Sequence, residues 1–314
     1  MKAWLELIRY KNLIIVGLLQ YLLRYGLLLP ILASYGVEPA LSHVQFGLLV
    51  LATLSFAASG YAINDYFDIK TDLINRPHKV LVSRKIQRRE ALLLHLILSF
   101  VGVFCGLFLA FVARKETYII VTFFVPALLW FYSTTLKKQF VIGNLTVSLL
   151  TAMVPYVVVS LEFAILARSK GIDIIRSEAC GTAWFWTTGF AFFAFISNLV
   201  REIIKDLEDA KGDQASGCRT LPIALGVRYT KTLVILITLF LLTALWTIYF
   251  FVPQLYQSRL TLIYFAIALT LPYLFLIRQV SKAKDPNDFH MASTASKITM
   301  LTGILFIFVA GSFF

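Results

Sequence analysis

Long apolar runs separated by short clusters of charge dominate this chain. Nine runs approach the roughly 20 residues that a bilayer-spanning helix needs, at about 12–34, 43–63, 91–112, 117–135, 141–166, 182–200, 231–252, 260–278 and 297–314. Pro30, Pro126, Pro155 and Pro272 fall inside these runs, a placement that membrane helices tolerate better than soluble ones. The first run opens near Asn12 and is too long for the apolar core of a signal peptide, so it reads as the first span. The pattern predicts an all-α polytopic membrane protein, with residues 1–314 forming a single integral-membrane domain.

Composition sharpens the picture. Hydrophobic residues make up 59% of the 314 positions, and the mean hydropathy is +0.80. Charged residues are 15%, against about a quarter in a soluble domain, which excludes a water-soluble globule. Net charge is +12, but the basic residues lie in short loops between spans, so nucleic acid is not an expected partner. The N-terminus and the loops after spans two, four, six and eight hold most of the 29 Lys and Arg residues. That asymmetry predicts a cytoplasmic (inner) membrane protein with those loops in the cytoplasm, in contact with anionic membrane lipids. Cys105, Cys180 and Cys218 have neither metal spacing nor a disulfide framework.

Two acidic triads carry the chemistry. Asp65, Asp68 and Asp72 lie in NDYFDIKTD, and Asp206, Asp209 and Asp213 repeat the same D-x2-D-x3-D spacing in KDLEDAKGD. Steps of three and four residues predict one helix face for each triad. Three like charges on one face repel unless cations neutralise them, and each triad sits beside Lys and Arg. Divalent metal holding a polyphosphate is the simplest chemistry that needs both signs there. Both triads follow even-numbered spans, so both are expected on the cytoplasmic side. Their four-span offset hints at an internal duplication with a ninth helix appended.

Neighbouring residues extend each triad. Asn64 shares a four-residue stripe with Asp68 and Asp72 and can add a neutral oxygen ligand. Pro77 is expected to end that helix, turning Arg76 and Lys79 over the metal site. In the second motif, Glu202 continues the acidic face, Arg201 and Lys205 form a stripe beside it, and Gly212 is expected to loosen the helix end. A third patch, Tyr132-Ser133-Thr134-Thr135-Leu136-Lys137-Lys138, closes the fourth span. Lys137 and Lys138 fit either a diphosphate clamp or ordinary juxtamembrane anchors. Asn144, just inside the fifth span, needs a hydrogen-bond partner, either substrate or a neighbouring helix.

His43, His78, His95 and His290 form no metal spacing, and no Gly-rich phosphate loop or nucleophile elbow occurs. A transporter would place its carboxylates near the bilayer midplane, whereas these lie at span ends. A non-catalytic lipid-binding scaffold has no need of six repeated aspartates.

N-D-x2-D-x3-D with a downstream Arg-Pro, the Y-S-x3-K-K patch, and a second D-x2-D-x3-D among about nine spans resemble the UbiA superfamily of intramembrane prenyltransferases. Within it, R-E-I-I-K-D-L-E-D-A-K-G-D followed by R-T-L-P looks most like the digeranylgeranylglyceryl phosphate synthase branch. The resemblance implies nine helices around a central cavity and a transferase of prenyl groups (class 2.5.1). It implies Mg2+ on Asn64, Asp65, Asp68, Asp72, Asp206, Asp209 and Asp213, the six aspartates being catalytic, and substrate contacts from Asn64, Arg76, Lys137, Asn144, Arg201 and Lys205. The implied partners are a prenyl diphosphate, geranylgeranyl diphosphate in the first instance, and a lipophilic acceptor. Geranylgeranylglyceryl phosphate would give an ether lipid; a hydroxybenzoate or naphthoate would give a quinone precursor.

Overall fold

The computed structural model describes every residue from Met1 to Phe314; it is helical throughout, with one isolated bridge between Val82 and Ile86. Nine helices are long and apolar enough to cross a membrane: α1 Tyr10–Ser34, α2 His43–Phe67, α3 Arg88–Ala113, α4 Glu116–Thr134, α5 Ile142–Lys170, α6 Glu178–Ala215, α7 Val227–Phe251, α8 Arg259–Lys282 and α9 Pro286–Gly311. The protein is therefore an integral, multi-pass, all-α membrane protein, as its apolar runs predict.

Two helices outrun the apolar segments that announce them. α6 continues to Ala215 rather than stopping near residue 200, and α9 begins at Pro286 rather than near 297. Hydropathy marks only the part of a helix that lies in hydrocarbon, while capping decides where the helix starts and stops. At α9 the Asp285 carboxylate accepts from the Asn287 and Asp288 amides at 2.9 and 3.0 Å, and Asp288 returns the contact to the Asp285 amide. Pro286 sits in the first turn, where its missing N–H costs nothing. α1 and α8 each contain one widened π stretch, Leu22–Leu28 and Tyr264–Thr270, followed at once by Leu-Pro. A helical proline clashes with the carbonyl four residues back. For Pro30 and Pro272 that carbonyl lies within the wide turn, which relieves the clash.

The chain resolves into two compact units, residues 1–137 with 154–187, and residues 138–153 with 188–314. In the first, α3 packs closely on its neighbours through two glycines one turn apart. A Cβ on Gly102 would come within 2.6 Å of the Phe56 ring of α2, and one on Gly106 within 2.5 Å of the Thr122 hydroxyl of α4. Small residues replace hydrophobic drive as the means of bringing membrane helices together. At one end of α2, a small core of Leu7, Ala62, Val82, Ile86 and Ala91 joins the N-terminal helix Lys2–Leu7 and the turn at 80–86 to the helix that carries the first triad.

The same unit holds a buried ion pair. Arg24, in the π stretch of α1, sits 3.3 Å (Nη1 to Oε2) from Glu162 of α5, with side-chain exposures of 2% and 0%. Arg24 also donates to the Leu41 carbonyl, and Glu162 accepts the Leu41 amide at 3.0 Å. The loop between α1 and α2 is thereby tied to both helices. Removing one partner of such a pair leaves an uncompensated buried charge, costing about 3–5 kcal/mol.

The second unit is built on the apolar stripe Val200, Ile203, Ile204 and Leu207 of α6. It packs with Val234 and Leu241 of α7, Leu276 and Val280 of α8, and Phe289 and Ala292 of α9. The three- and four-residue steps of that stripe commit one face of α6 to the core. Asp206, Asp209 and Asp213, on other positions of the same helix, stay only partly buried.

Candidate active site

In the first unit, Asn64 and Asp65 lie in the last turn of α2, which ends at Phe67. Asp68 (φ −85°, ψ 2°) interrupts the helix, and a short helix, Ile69–Asn75, carries Asp72. The expected single helix face is therefore corrected here: the triad straddles a break. Backbone bonds still link Asp68 to Asn64 (3.0 Å), Asp72 to Asp68 (2.8 Å) and Arg76 to Asp72 (2.8 Å), so the four-residue stripe survives. The short helix ends at Arg76, whose backbone has left the helical region (φ −145°, ψ 61°). Pro77 imposes this, because a residue before proline is pushed out of the helical region.

Cations meet this cluster from two distant parts of the chain. The Lys137 ammonium donates to the Asn64 side-chain oxygen at 3.2 Å and to Asp68, while the Asn64 amide donates to the other Asp68 oxygen at 2.6 Å. Arg9 donates to Asp65 at 3.0 Å and lies 4.8 Å over the Tyr61 ring. Nothing in the sequence marks Arg9 as a site residue. It arrives because the backbone turns left-handed there (φ 50°), between the N-terminal helix and α1, and such a break leaves no motif.

In the second unit the same spacing behaves differently. Asp206, Asp209 and Asp213 lie on one uninterrupted helix. The Asn144 amide of α5 donates to Asp206 at 2.8 Å, so the partner of Asn144 is a carboxylate on a neighbouring helix. The Asn144 carbonyl accepts from Ser148, whose hydroxyl also receives the Asn198 amide at 3.4 Å. Arg201 and Lys205 are both held by Glu202, at 2.8 Å and at 3.0–3.1 Å. The helix runs on past Gly212 to Ala215 and is closed by Gly217 rather than loosened at Gly212. Gly217 has φ 73°, its amide reaches the Gln214 carbonyl, and the Cys218 amide reaches the Asp213 carbonyl at 2.9 Å. This is a Schellman ending, with glycine at the left-handed position. No motif marks the contact between His290 of α9 and Glu208, 2.8 Å apart.

These donors suit a divalent cation of one kind. No three His, Cys, Asp or Glu side chains cluster closely enough to cage an ion by themselves. Mg2+ does not ask for such a cage; it takes one or two carboxylates and fills octahedral positions with water and phosphate oxygens. The Lys137 ammonium shows that the oxygens of Asn64 and Asp68 already converge on positive charge. Within the first unit, Asp65 and Asp72 add hard oxygen donors beside this cluster; within the second, Asp206, Asp209 and Asp213 form a donor set of their own.

The sequence pattern of the UbiA prenyltransferase family matches residues 27–310. The digeranylgeranylglyceryl phosphate synthase of Korarchaeum cryptofilum is 34% identical over 271 residues, covering 84% of this chain and 86% of that protein. A solved structure described as digeranylgeranylglyceryl phosphate synthase in membranes is 24% identical; it aligns over 99% of this chain and 98% of its own, with a TM-score of 0.59. A UbiA homologue from Archaeoglobus fulgidus bound to GPP and Mg2+ is 17% identical, with coverage of 98% and 99% and a TM-score of 0.54. The two structures establish a shared fold along the whole chain.

Proposed function

The chain belongs to the UbiA prenyltransferase family and is a prenyl transferase, and from that premise we propose that it moves a geranylgeranyl group, with Mg2+, from its diphosphate to geranylgeranylglyceryl phosphate. The acceptor is inferred from the curated relatives, several of which are named digeranylgeranylglyceryl phosphate synthase. The observation that carries the catalytic part is the Asn64–Asp68–Lys137 cluster, which gathers an amide oxygen, a carboxylate and an ammonium at one helix end. We take residues 1–314 to act as one domain, in the cytoplasmic membrane, with the acidic triads on the cytoplasmic side where the basic loops lie.

When bound, Mg2+ would supply Lewis acidity toward the diphosphate, held by Asn64, Asp65, Asp68 and Asp72 and by Asp206, Asp209 and Asp213. The protein's own groups do the rest. Asn64 fixes the rotamer of Asp68, and Asn144 fixes that of Asp206. Lys137, Arg76, Arg201 and Lys205 provide N–H donors for the oxygens that gain charge as the leaving group departs. The allylic C1–O bond breaks with its electron pair going to diphosphate. The acceptor hydroxyl oxygen then bonds to C1, and its proton leaves with the diphosphate. The apolar spans keep water from capturing the carbocation and give the prenyl tail a hydrocarbon bed.

The test supplies purified membranes with geranylgeranyl diphosphate and each acceptor class, with and without Mg2+, and identifies products by mass. A Mg2+-dependent diether phosphate is expected. A prenylated hydroxybenzoate or naphthoate would reassign the acceptor, and absence of any prenylated product would reject the reading.

A further inference from the structure

Outside the acidic motifs, the ends of α7 and α8 form a groove of about 450 Å³ lined by Val227, Arg228, Lys231, Thr232, Ile235 and Ser281. Its chemistry is two-sided. Val227, Lys231 and Ile235 repeat at four-residue steps along α7, so one apolar stripe carries a single cation at its middle. Arg228 and Thr232 form the stripe beside it.

The Lys231 ammonium is not a loose surface charge. It donates to the Ser281 and Ala283 carbonyls at 2.9 and 2.8 Å, which caps the end of α8 and fixes the nitrogen in place. An ammonium has three N–H donors, so one remains for a ligand. Arg228 is exposed, and its guanidinium has no carboxylate or hydrogen-bond partner. The two hydroxyls are spent on helix carbonyls, Thr232 on Arg228 and Ser281 on Arg278. No Asp or Glu lines the groove. Its free donors are therefore all cationic, and its remaining walls are apolar.

The depth is also informative. Residues 227–235 are the first turns of α7, and Ser281 lies in the last turn of α8. Span ends stand at the level of lipid head groups, and basic pockets between membrane helices take anionic ones. We infer that this groove is a binding site for an anionic membrane phospholipid, with Arg228 and Lys231 on the phosphate and Ile235, one turn deeper, along the upper acyl chain. The site makes no use of the acidic triads, so the inference stands apart from the transferase reading.

The test uses the full-length protein in neutral detergent, titrated with phosphatidylglycerol or phosphatidylcholine and read by native mass spectrometry. Phosphatidylglycerol should bind in preference. Arg228→Gln should weaken it about fivefold, the effect of one cation near an anionic head group, while Lys282→Gln, an exposed cation outside the groove, should leave it unchanged. Because Arg228 is exposed and unpaired, its variant keeps the fold, and the titration needs no catalytic turnover. Equal retention of both lipids, wild-type binding by Arg228→Gln, an equal loss in Lys282→Gln, or displacement of the lipid by geranylgeranyl diphosphate would each overturn the assignment.

Discussion

The two D-x2-D-x3-D segments share a spacing but not a structure. The first is broken at Asp68 and compensated by full cations, Arg9 on Asp65 and Lys137 on Asp68. The second stays on one straight helix; its Asp206 is met by a neutral amide, Asn144, and the nearby cations Arg201 and Lys205 are held by Glu202. An acidic motif thus specifies which donors are available but not how they are neutralised. In the first cluster, a metal held by Asp68 would take the place of the Lys137 ammonium there. In the second, a metal would meet a carboxylate already held by a neutral amide, Asn144 on Asp206.

The largest effect tests whether both clusters are needed at all. Asp68→Ala and Asp206→Ala should each lower turnover by about a thousandfold, the upper range for losing one electrostatic stabiliser, with Mg2+-dependent diphosphate release as the readout. Full activity in either variant would break the pairing of the two triads in one reaction. Next comes the cation contrast. Lys137→Met removes an ammonium that already touches Asp68 and should cost about a hundredfold in turnover, whereas Lys205→Met, whose ammonium is tied to Glu202, should cost about tenfold at most. A reversed order would show that the second cluster holds the dominant diphosphate contact.

The amides offer a finer probe. Asn64→Ala and Asn144→Ala each remove one hydrogen bond to a carboxylate, and each should raise the Mg2+ concentration for half-maximal activity by about tenfold, from an interaction of about 1.5–3 kcal/mol with a charged group. An effect on stability alone, with unchanged metal dependence, would reduce them to packing residues. Arg9→Gln should have the smallest effect. Its pair with Asp65 is one-third exposed on the arginine side, and such pairs contribute about 0–1 kcal/mol. Tighter apparent Mg2+ binding by a few-fold is expected, because a competing cation has gone; weaker binding would make Arg9 part of the substrate site.

Much of this site is written in local sequence. Asn64 and Asp65 of NDYFD and the triad of KDLEDAKGD fall where an unbroken helical register places them, whereas Lys137 and Lys138 follow a backbone break at Thr135 in a separate short turn. The break at Asp68 is less legible, since Asn64, Asp68 and Asp72 read as one stripe whether or not the helix kinks between them. The reach of Arg9 to Asp65 and the grip of Glu202 on both neighbouring cations were not legible, because side-chain pairing among several candidate charges depends on rotamers and on which face each helix turns inward.

The number of spans and the position of both acidic clusters follow from the order of residues along the chain. Bilayer thickness converts directly into a count of apolar residues, and helix periodicity turns spacing into a shared stripe. The partners were settled by packing: Arg9 to Asp65 across 56 positions, Asn144 to Asp206 across 62, and Lys137 to Asp68 across 69. It also buried Arg24 against Glu162, two charges that lie in separate apolar runs. The two kinds of information differ in range. Hydropathy and helical register act over a few turns of one segment, whereas a charge is satisfied by whichever group packing brings within about 3 Å, and that group is chosen by the fold as a whole.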